Sequence, residues 1–236
     1  MGSFLMPISL VAVLSGVVPA GLGAQTIADL DLHEVPSASP GGRTLGLFLS
    51  GDGGWAPFDR DVARALADNG ISVVGLNSRS YLATRRAPQA VADDAERILR
   101  HYLASWSRDR IVLIGYSRGA VIAPFIVNRL PADLRARIDL VAMLGLGYHA
   151  GFHVSLFDLL HTTTNAKDPP VAPEIAALAK SEVRMMCIYG VDEAESYCRD
   201  APPGLMTIVK KQGAHHFDGD RAAIAAEILA ALNRKD

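Results

Sequence analysis

Short apolar runs that alternate with helical periodicity constrain the fold of this chain more than any other feature of its sequence. The runs ISVVGL, at residues 71–76, and RIVLIG, at residues 110–115, contain no polar alternation, which is typical of strands that are buried on both faces. Between them, residues 88–106 place apolar side chains at helical spacing. The sequence therefore predicts an α/β fold, with a mostly parallel sheet of about seven strands and helices on both faces.

The same patterns predict where the individual elements lie. Strands are expected at residues 27–33, 44–50, 71–76, 110–115, 138–145, 183–190 and 205–210. Helices are expected at residues 59–68, 88–106, 118–130, 173–180 and 220–234. Because the turn-forming run PSASPGG separates the first two strands, we expect these to form an antiparallel hairpin.

Length and charge exclude several classes of protein. With 236 residues, half of them hydrophobic, the chain is long enough for one sizeable core. A formal charge of −2 and the lack of a basic run argue against nucleic acid as a ligand, since phosphate binding needs a concentrated positive face. The first 28 residues carry no charge and are mostly apolar, so residues 1–24 are predicted to be a signal peptide or an uncleaved anchor. Residues 25–236 are then expected to form a single domain.

Export changes the interpretation of the two cysteines. Cys187 is predicted in a strand and Cys198 in the loop that follows it. In an oxidising compartment the two thiols could close a small loop, and we expect a disulfide between them.

A nucleophile motif lies at the end of the fourth apolar run. Residues 115–119 read Gly-Tyr-Ser-Arg-Gly, a G-x-S-x-G sequence directly after a predicted strand and directly before a predicted helix. The glycines permit a sharp turn that holds Ser117 in a strained conformation at a helix N-terminus, where the helix dipole favours an oxyanion. Ser117 is therefore the candidate nucleophile.

A serine nucleophile needs a base and an acid, and both follow in the chain order Ser, acid, His. Asp192 and Glu193 come directly after the sixth predicted strand; the spacing from Gly190 favours Glu193 and the commoner residue type favours Asp192. His215 and His216 lie between the last strand and the last helix. The pattern His-His-Phe favours His216 as the base and leaves His215 as the alternative.

Acyl transfer also needs two donors for the oxyanion. We expect the backbone N–H groups of Arg118 and Asp52, the latter in the glycine-rich run SGDGGW after the second strand. No nucleotide-binding motif and no metal-ligand spacing is present, so neither a cofactor nor a metal is expected.

Four segments together resemble a known family. They are VVGLNSRSYLATRRAPQAVADDAERILRHY, IVLIGYSRGAVIAPFIVNRLP, CIYGVDEAESYC and QGAHHFDGD, and they are similar to the bacterial virulence protein VirJ and the C-terminal half of AcvB. The resemblance implies an α/β-hydrolase fold, a periplasmic location and serine hydrolysis of lysyl- or alanyl-phosphatidylglycerol. It also implies Ser117 as nucleophile, His216 as base and an acid within the pair Asp192/Glu193. Some members are linked to type IV secretion, which implies secretion-system proteins as possible partners.

Such a substrate carries an anionic phosphate and an ammonium group. Arg79, Arg85 and Arg86 follow the third strand and are candidate phosphate ligands, and Trp55 is a further candidate contact. Residues 145–174 lie where hydrolases of this fold often insert a lid. Three functions compete: an aminoacyl-lipid esterase, a general carboxylesterase or thioesterase with the same triad, and a non-catalytic secretion factor.

Overall fold

The computed structural model describes residues 26–39, 41–154 and 167–234, and within them seven strands form one sheet. The spatial order is β1-β3-β2-β4-β5-β6-β7, and every neighbouring pair is parallel except β1 and β3. The strands are β1 Leu32–Val35, β2 Thr44–Leu49, β3 Ser72–Leu76, β4 Arg110–Tyr116, β5 Ile138–Leu144, β6 Met185–Gly190 and β7 Thr207–Lys211. The predicted number of strands and their mostly parallel arrangement are confirmed.

Helices fill most of the connections between these strands. Within the described ranges they are α1 Pro57–Asp68, α2 Ser78–Tyr81, α3 Pro88–Ser105, α4 Arg118–Arg129, α5 Ala132–Arg135, α6 Ala172–Leu178, α7 Tyr197–Asp200 and α8 Arg221–Asn233, with a 3₁₀ turn at Phe217–Gly219. The five helices predicted from periodicity are confirmed. The sequence did not predict α2, α5 and α7, because four residues are too few to show a period.

The helices cover both faces of the sheet. On one face α1 and α8 pack together over the inner strands, with Leu66 and Ile228 fully buried there. On the other face α3, α4 and α6 bury residues such as Ile98 and Ile126. This arrangement, with one antiparallel edge strand on a parallel sheet covered on both sides, is that of the α/β-hydrolase fold.

The predicted hairpin between the first two strands is wrong. Residues 27–30 form a turn, in which the Leu30 N–H donates to the Ile27 carbonyl, and the strand begins only at Leu32. β1 pairs antiparallel with β3, with Leu32 opposite Leu76, while β2 lies between β3 and β4. β3 therefore lies between β1 and β2, which do not pair with each other in the described sheet.

The expected disulfide joins β6 to α7. Cys187 and Cys198 are bonded, with a Cα–Cα distance of 5.7 Å, and both side chains are buried. The pairing expected from the sequence is confirmed.

The predicted N-terminal segment, residues 1–24, lies outside the described residues, as do residues 155–166 of the predicted lid. Within the part of the chain that is described, no helix combines the length and the apolar character that crossing a membrane requires.

Candidate active site

The G-x-S-x-G motif forms a sharp turn between β4 and α4. Ser117 has φ 53° and ψ −111°, a left-handed conformation that is strained for a residue with a side chain. Two close backbone approaches enforce it: a Cβ atom on Gly119 would overlap the Leu49 carbonyl, and one on Gly115 would overlap the Gly119 carbonyl. The glycines thus let strand and helix meet closely enough to place Ser117 at the helix N-terminus, as the sequence predicts.

The sheet brings an acid and a histidine to the same edge. Glu193 follows β6, and His215 follows β7; the His215 Nδ1 atom lies 2.5 Å from Glu193 Oε1. Glu193 is only 7% exposed, so its hydrogen bond to the ring is largely shielded from water. Gly145, at φ +63° after β5, makes room for this pair, because a Cβ atom there would lie 2.6 Å from His215 Cε1.

His216, which the sequence favours as the base, lines the same cleft but has a different partner. Its Nδ1 atom is 2.5 Å from the Tyr116 hydroxyl, and the same hydroxyl is 3.3 Å from the His215 carbonyl oxygen. Desolvation and the neighbouring His215 lower the pKa of His216, which favours a neutral ring. The structure thus pairs the acid with His215, the alternative that the sequence left open, and which histidine acts as the base stays a prediction.

The choice between the two carboxylates is clearer. Asp192 is exposed, and its backbone N–H donates to the Gly213 carbonyl at 3.0 Å, which turns the loop so that the next residue faces the sheet. Glu193 is the residue that contacts the histidine. The contact therefore involves the residue that the spacing from Gly190 favours, and its role as the triad acid stays a prediction.

Ser117, Glu193 and His215 line a common cleft of about 940 Å³. The glycine-rich run after β2 forms one wall, and a Cβ atom on Gly51 would lie 3.3 Å from Ser117 Cβ. Asp52, the expected second oxyanion donor, lies in this wall, and its carboxylate accepts hydrogen bonds from the Arg118 guanidinium. The two residues expected to donate to the oxyanion are therefore neighbours at the cleft.

Three predicted substrate contacts are absent from the described lining of the cleft. The Trp55 ring packs against Gly75 and stacks on His33 with 5.2 Å between ring centroids. Arg86 hydrogen-bonds to Asp94 and to a backbone carbonyl, because the start of α3 lies beside it. Arg85 is exposed on the surface.

Arg79, the remaining arginine of the group that follows β3, does line the cleft. It is also exposed to solvent, so its guanidinium is accessible from the cleft.

One buried carboxyl group in the lining of the cleft was not predicted from the sequence. Asp59, in the first turn of α1, is 1% exposed, and its Oδ2 atom accepts from the Ala56 N–H at 3.0 Å. Burial raises its pKa to about 6. The available signal was an acidic residue three positions after the end of a glycine-rich loop, which is typical of a helix N-terminus.

Sequence and structure comparisons agree on the fold. A family model described as "Bacterial virulence protein (VirJ)" matches residues 43–236, and no curated protein matches the chain. An α/β serine hydrolase homologue from Coxiella burnetii is 16% identical with a TM-score of 0.59, over 85% of this chain and 90% of that one. Est1E from Butyrivibrio proteoclasticus is 12% identical with a TM-score of 0.58, over 86% and 93%. A thioesterase domain from the curacin biosynthetic pathway is 14% identical with a TM-score of 0.57, over 85% and 99%.

Proposed function

The chain belongs to the VirJ family of bacterial virulence proteins, and we propose that it is a serine hydrolase that cleaves the aminoacyl ester of aminoacyl-phosphatidylglycerol in the periplasm. One observation carries the proposal of a hydrolase. A strained serine at a helix N-terminus shares a cleft with a histidine whose Nδ1 atom is 2.5 Å from a buried glutamate. These are the groups that an acyl-enzyme mechanism requires.

The mechanism follows from these positions. Glu193 accepts the N–H of His215 Nδ1, which fixes the tautomer and leaves Nε2 to take the hydroxyl proton of Ser117. The Ser117 oxygen attacks the ester carbonyl, and the backbone N–H groups of Arg118 and Asp52 are the proposed donors to the oxyanion. His215 then gives its proton to the departing lipid hydroxyl. Water, activated by the same ring, hydrolyses the acyl-enzyme, releases the free amino acid and restores Ser117.

The charges of the cleft support a substrate that carries both signs. Glu195 and Asp168 lie in its lining together with Arg79 and Arg221. An aminoacylated phospholipid presents an ammonium group on the acyl side and a phosphate on the other, so each end has an oppositely charged side chain within the cleft. The lipid substrate itself is proposed on the resemblance to the family.

A second candidate function is a general carboxylesterase or thioesterase with the same triad. It is favoured by the likeness of this fold to those of Est1E and of a thioesterase domain. The two candidates share the chemistry at Ser117 and differ in the acyl and leaving groups that the cleft accepts.

The disulfide supports the proposed location. Structural disulfides persist in oxidising compartments such as the periplasm and are rare in the cytosol of mesophiles. The uncharged N-terminal segment is the proposed export signal.

The test measures release of free lysine or alanine from vesicles that contain lysyl- or alanyl-phosphatidylglycerol. Wild type should release amino acid, Ser117→Ala should not, and Ser181→Ala, a serine substitution near the end of α6 outside the cleft, should match wild type. Hydrolysis of short esters without release from either lipid would favour the general esterase. No Ser117-dependent hydrolysis of any ester would refute a catalytic role and leave the non-catalytic secretion factor.

A further inference from the structure

We propose that the Arg118 side chain is a positioning residue that holds the Asp52 loop against the nucleophile turn and so keeps the second oxyanion donor in place. The inference rests on the proposed serine hydrolase. In the mechanism above only the backbone N–H of Arg118 takes part, and the inference adds a role for its side chain. It concerns the loop at residues 51–56, here called the oxyanion loop.

The oxyanion loop needs an external restraint, because three of its first four residues are glycine. A hydrogen bond from the Gly54 N–H to the Gly51 carbonyl, at 3.0 Å, closes the turn on itself. At the other end of the loop the Asp59 carboxylate accepts from the Ala56 N–H at 3.0 Å. Neither contact involves the nucleophile turn. The backbone of Asp52 must nevertheless keep a fixed distance from the reacting carbonyl, since an oxyanion donor works only over a few tenths of an ångström.

Arg118 supplies such a restraint. Its Nε and Nη2 atoms donate to the two carboxylate oxygens of Asp52 at 2.7 and 3.1 Å. This two-pronged, charge-assisted contact fixes orientation as well as distance. The Arg118 side chain is 13% exposed, so water competes little for the contact. Arg118 directly follows Ser117 in the chain. Its contact with Asp52 therefore joins the nucleophile turn directly to the oxyanion loop.

The same guanidinium reaches a third segment. Arg118 Nη1 lies 3.4 Å from the Gly151 carbonyl, and a Cβ atom on Gly151 would overlap Nη1 and lie 2.9 Å from an Asp168 carboxylate oxygen. Gly151 and Asp168 stand on the two described sides of residues 155–166. Arg118 thus touches the oxyanion loop and lies where these two segments meet, and only a glycine at position 151 leaves it the space.

The test compares Arg118→Gln, Asp52→Asn and the double variant on a neutral short-chain ester, whose binding does not need a cation. We expect each single variant to lower kcat about 10- to 100-fold with little change in KM, because the oxyanion donor is displaced while the acyl pocket is not. The kcat of the double variant should lie within about 3-fold of the kcat of the slower single variant, because both changes remove the same contact. Arg118→Lys, which keeps the charge but not the two-pronged geometry, should fall between wild type and Arg118→Gln.

Arg129→Gln is the matched control. Arg129 lies at the other end of α4 and pairs with Glu174 at 2.8 Å, outside the described lining of the cleft. This variant should keep wild-type kcat. A kcat within 2-fold of wild type for Arg118→Gln, a loss confined to KM, additive losses in the double variant, or an equal loss in Arg129→Gln would each overturn the proposal.

Amide hydrogen exchange separates this inference from the proposed function. Arg118→Gln should speed exchange at residues 51–56 about 10-fold or more, and Arg129→Gln should not, whether or not any ester is cleaved. If Ser117→Ala removes activity while Arg118→Gln changes neither kcat nor exchange, the positioning role alone fails. If exchange rises as expected but no variant and no wild type hydrolyses an ester, the restraint stands and the proposed function fails.

Discussion

Replacement of the two adjacent histidines one at a time tests the site most directly. In the structure His215 contacts Glu193, whereas His216 contacts the Tyr116 hydroxyl. If His215 is the base, His215→Ala removes proton transfer and also leaves the buried Glu193 without its partner. His216→Ala removes one neighbour of a tyrosine that still lies 3.3 Å from the His215 carbonyl.

The expected magnitudes differ by about one power of ten or more. General base catalysis by a histidine contributes about 10²- to 10⁴-fold, and about 10⁴-fold corresponds to roughly 5 kcal/mol of activation free energy. One hydrogen bond to a tyrosine is worth about 1 kcal/mol, which limits the loss in His216→Ala to about 10-fold even if all of it is felt in the transition state. The ratio between the two variants is therefore expected to be at least about 10 and up to about 10³ or more.

The assay is steady-state hydrolysis of a chromogenic short-chain ester, with thermal melting by circular dichroism to show that both variants are folded. His215→Ala should retain less than about a hundredth of wild-type kcat, and His216→Ala more than about a tenth. If His216→Ala is instead the inactive variant while folded His215→Ala still turns over, the assignment made from the contact with Glu193 is refuted.

Three further predictions concern stability. The pKa of Asp59 is raised to about 6 in the fold from 3.8, so the folded state binds more protons between these values. The unfolding free energy of wild type relative to Asp59→Asn should therefore fall by about 2 kcal/mol as pH rises from 4 to 6, and a flat difference in urea denaturation would contradict the buried carboxyl. Replacement of Cys187 and Cys198 by serine should cost about 2–3 kcal/mol, and reduction of wild type should add two daltons by mass spectrometry. Gly119→Ala should cost about 3 kcal/mol in urea denaturation, because the new methyl group meets the Leu49 carbonyl, and an unchanged midpoint would argue against the close approach.

Features that depend on a short stretch of sequence were predicted better than the pairing of strands that are far apart in the chain. The strand that ends at Tyr116 could be recognised because the residues after Arg110 are buried and mostly apolar, and the turn after it because its glycines are required there. The partner of β1 could not be recognised in this way. Leu32 and Leu76 are 44 positions apart in the chain, and nothing in the local sequence of residues 36–42 distinguishes this pairing from a hairpin.

The same limit applies to the site. His215 and His216 share one local sequence, and their difference arises from contacts with other parts of the chain: Gly145 leaves space for one ring, and Tyr116 lies beside the other. Trp55 lies in the predicted loop but packs on Gly75, because the strand offers no side chain at that point. Spacing along the chain indicates which segments come together. Which side chains of those segments are in contact depends on the packing around them.

The three strands that precede the members of the proposed triad are supported unequally. β4 and β6 lie inside the sheet and are almost wholly buried, whereas β7 is at its edge, pairs with β6 alone and is largely open to water. Edge elements with few buried contacts open at lower free energy than the centre of a domain. A local detachment of β7 would withdraw His215 and break the bond from the Asp192 N–H to the Gly213 carbonyl beside Glu193, while Ser117 kept its place. Loss of catalytic competence would then precede the cooperative transition of the domain, and the operational lifetime of the protein would be set by one peripheral strand.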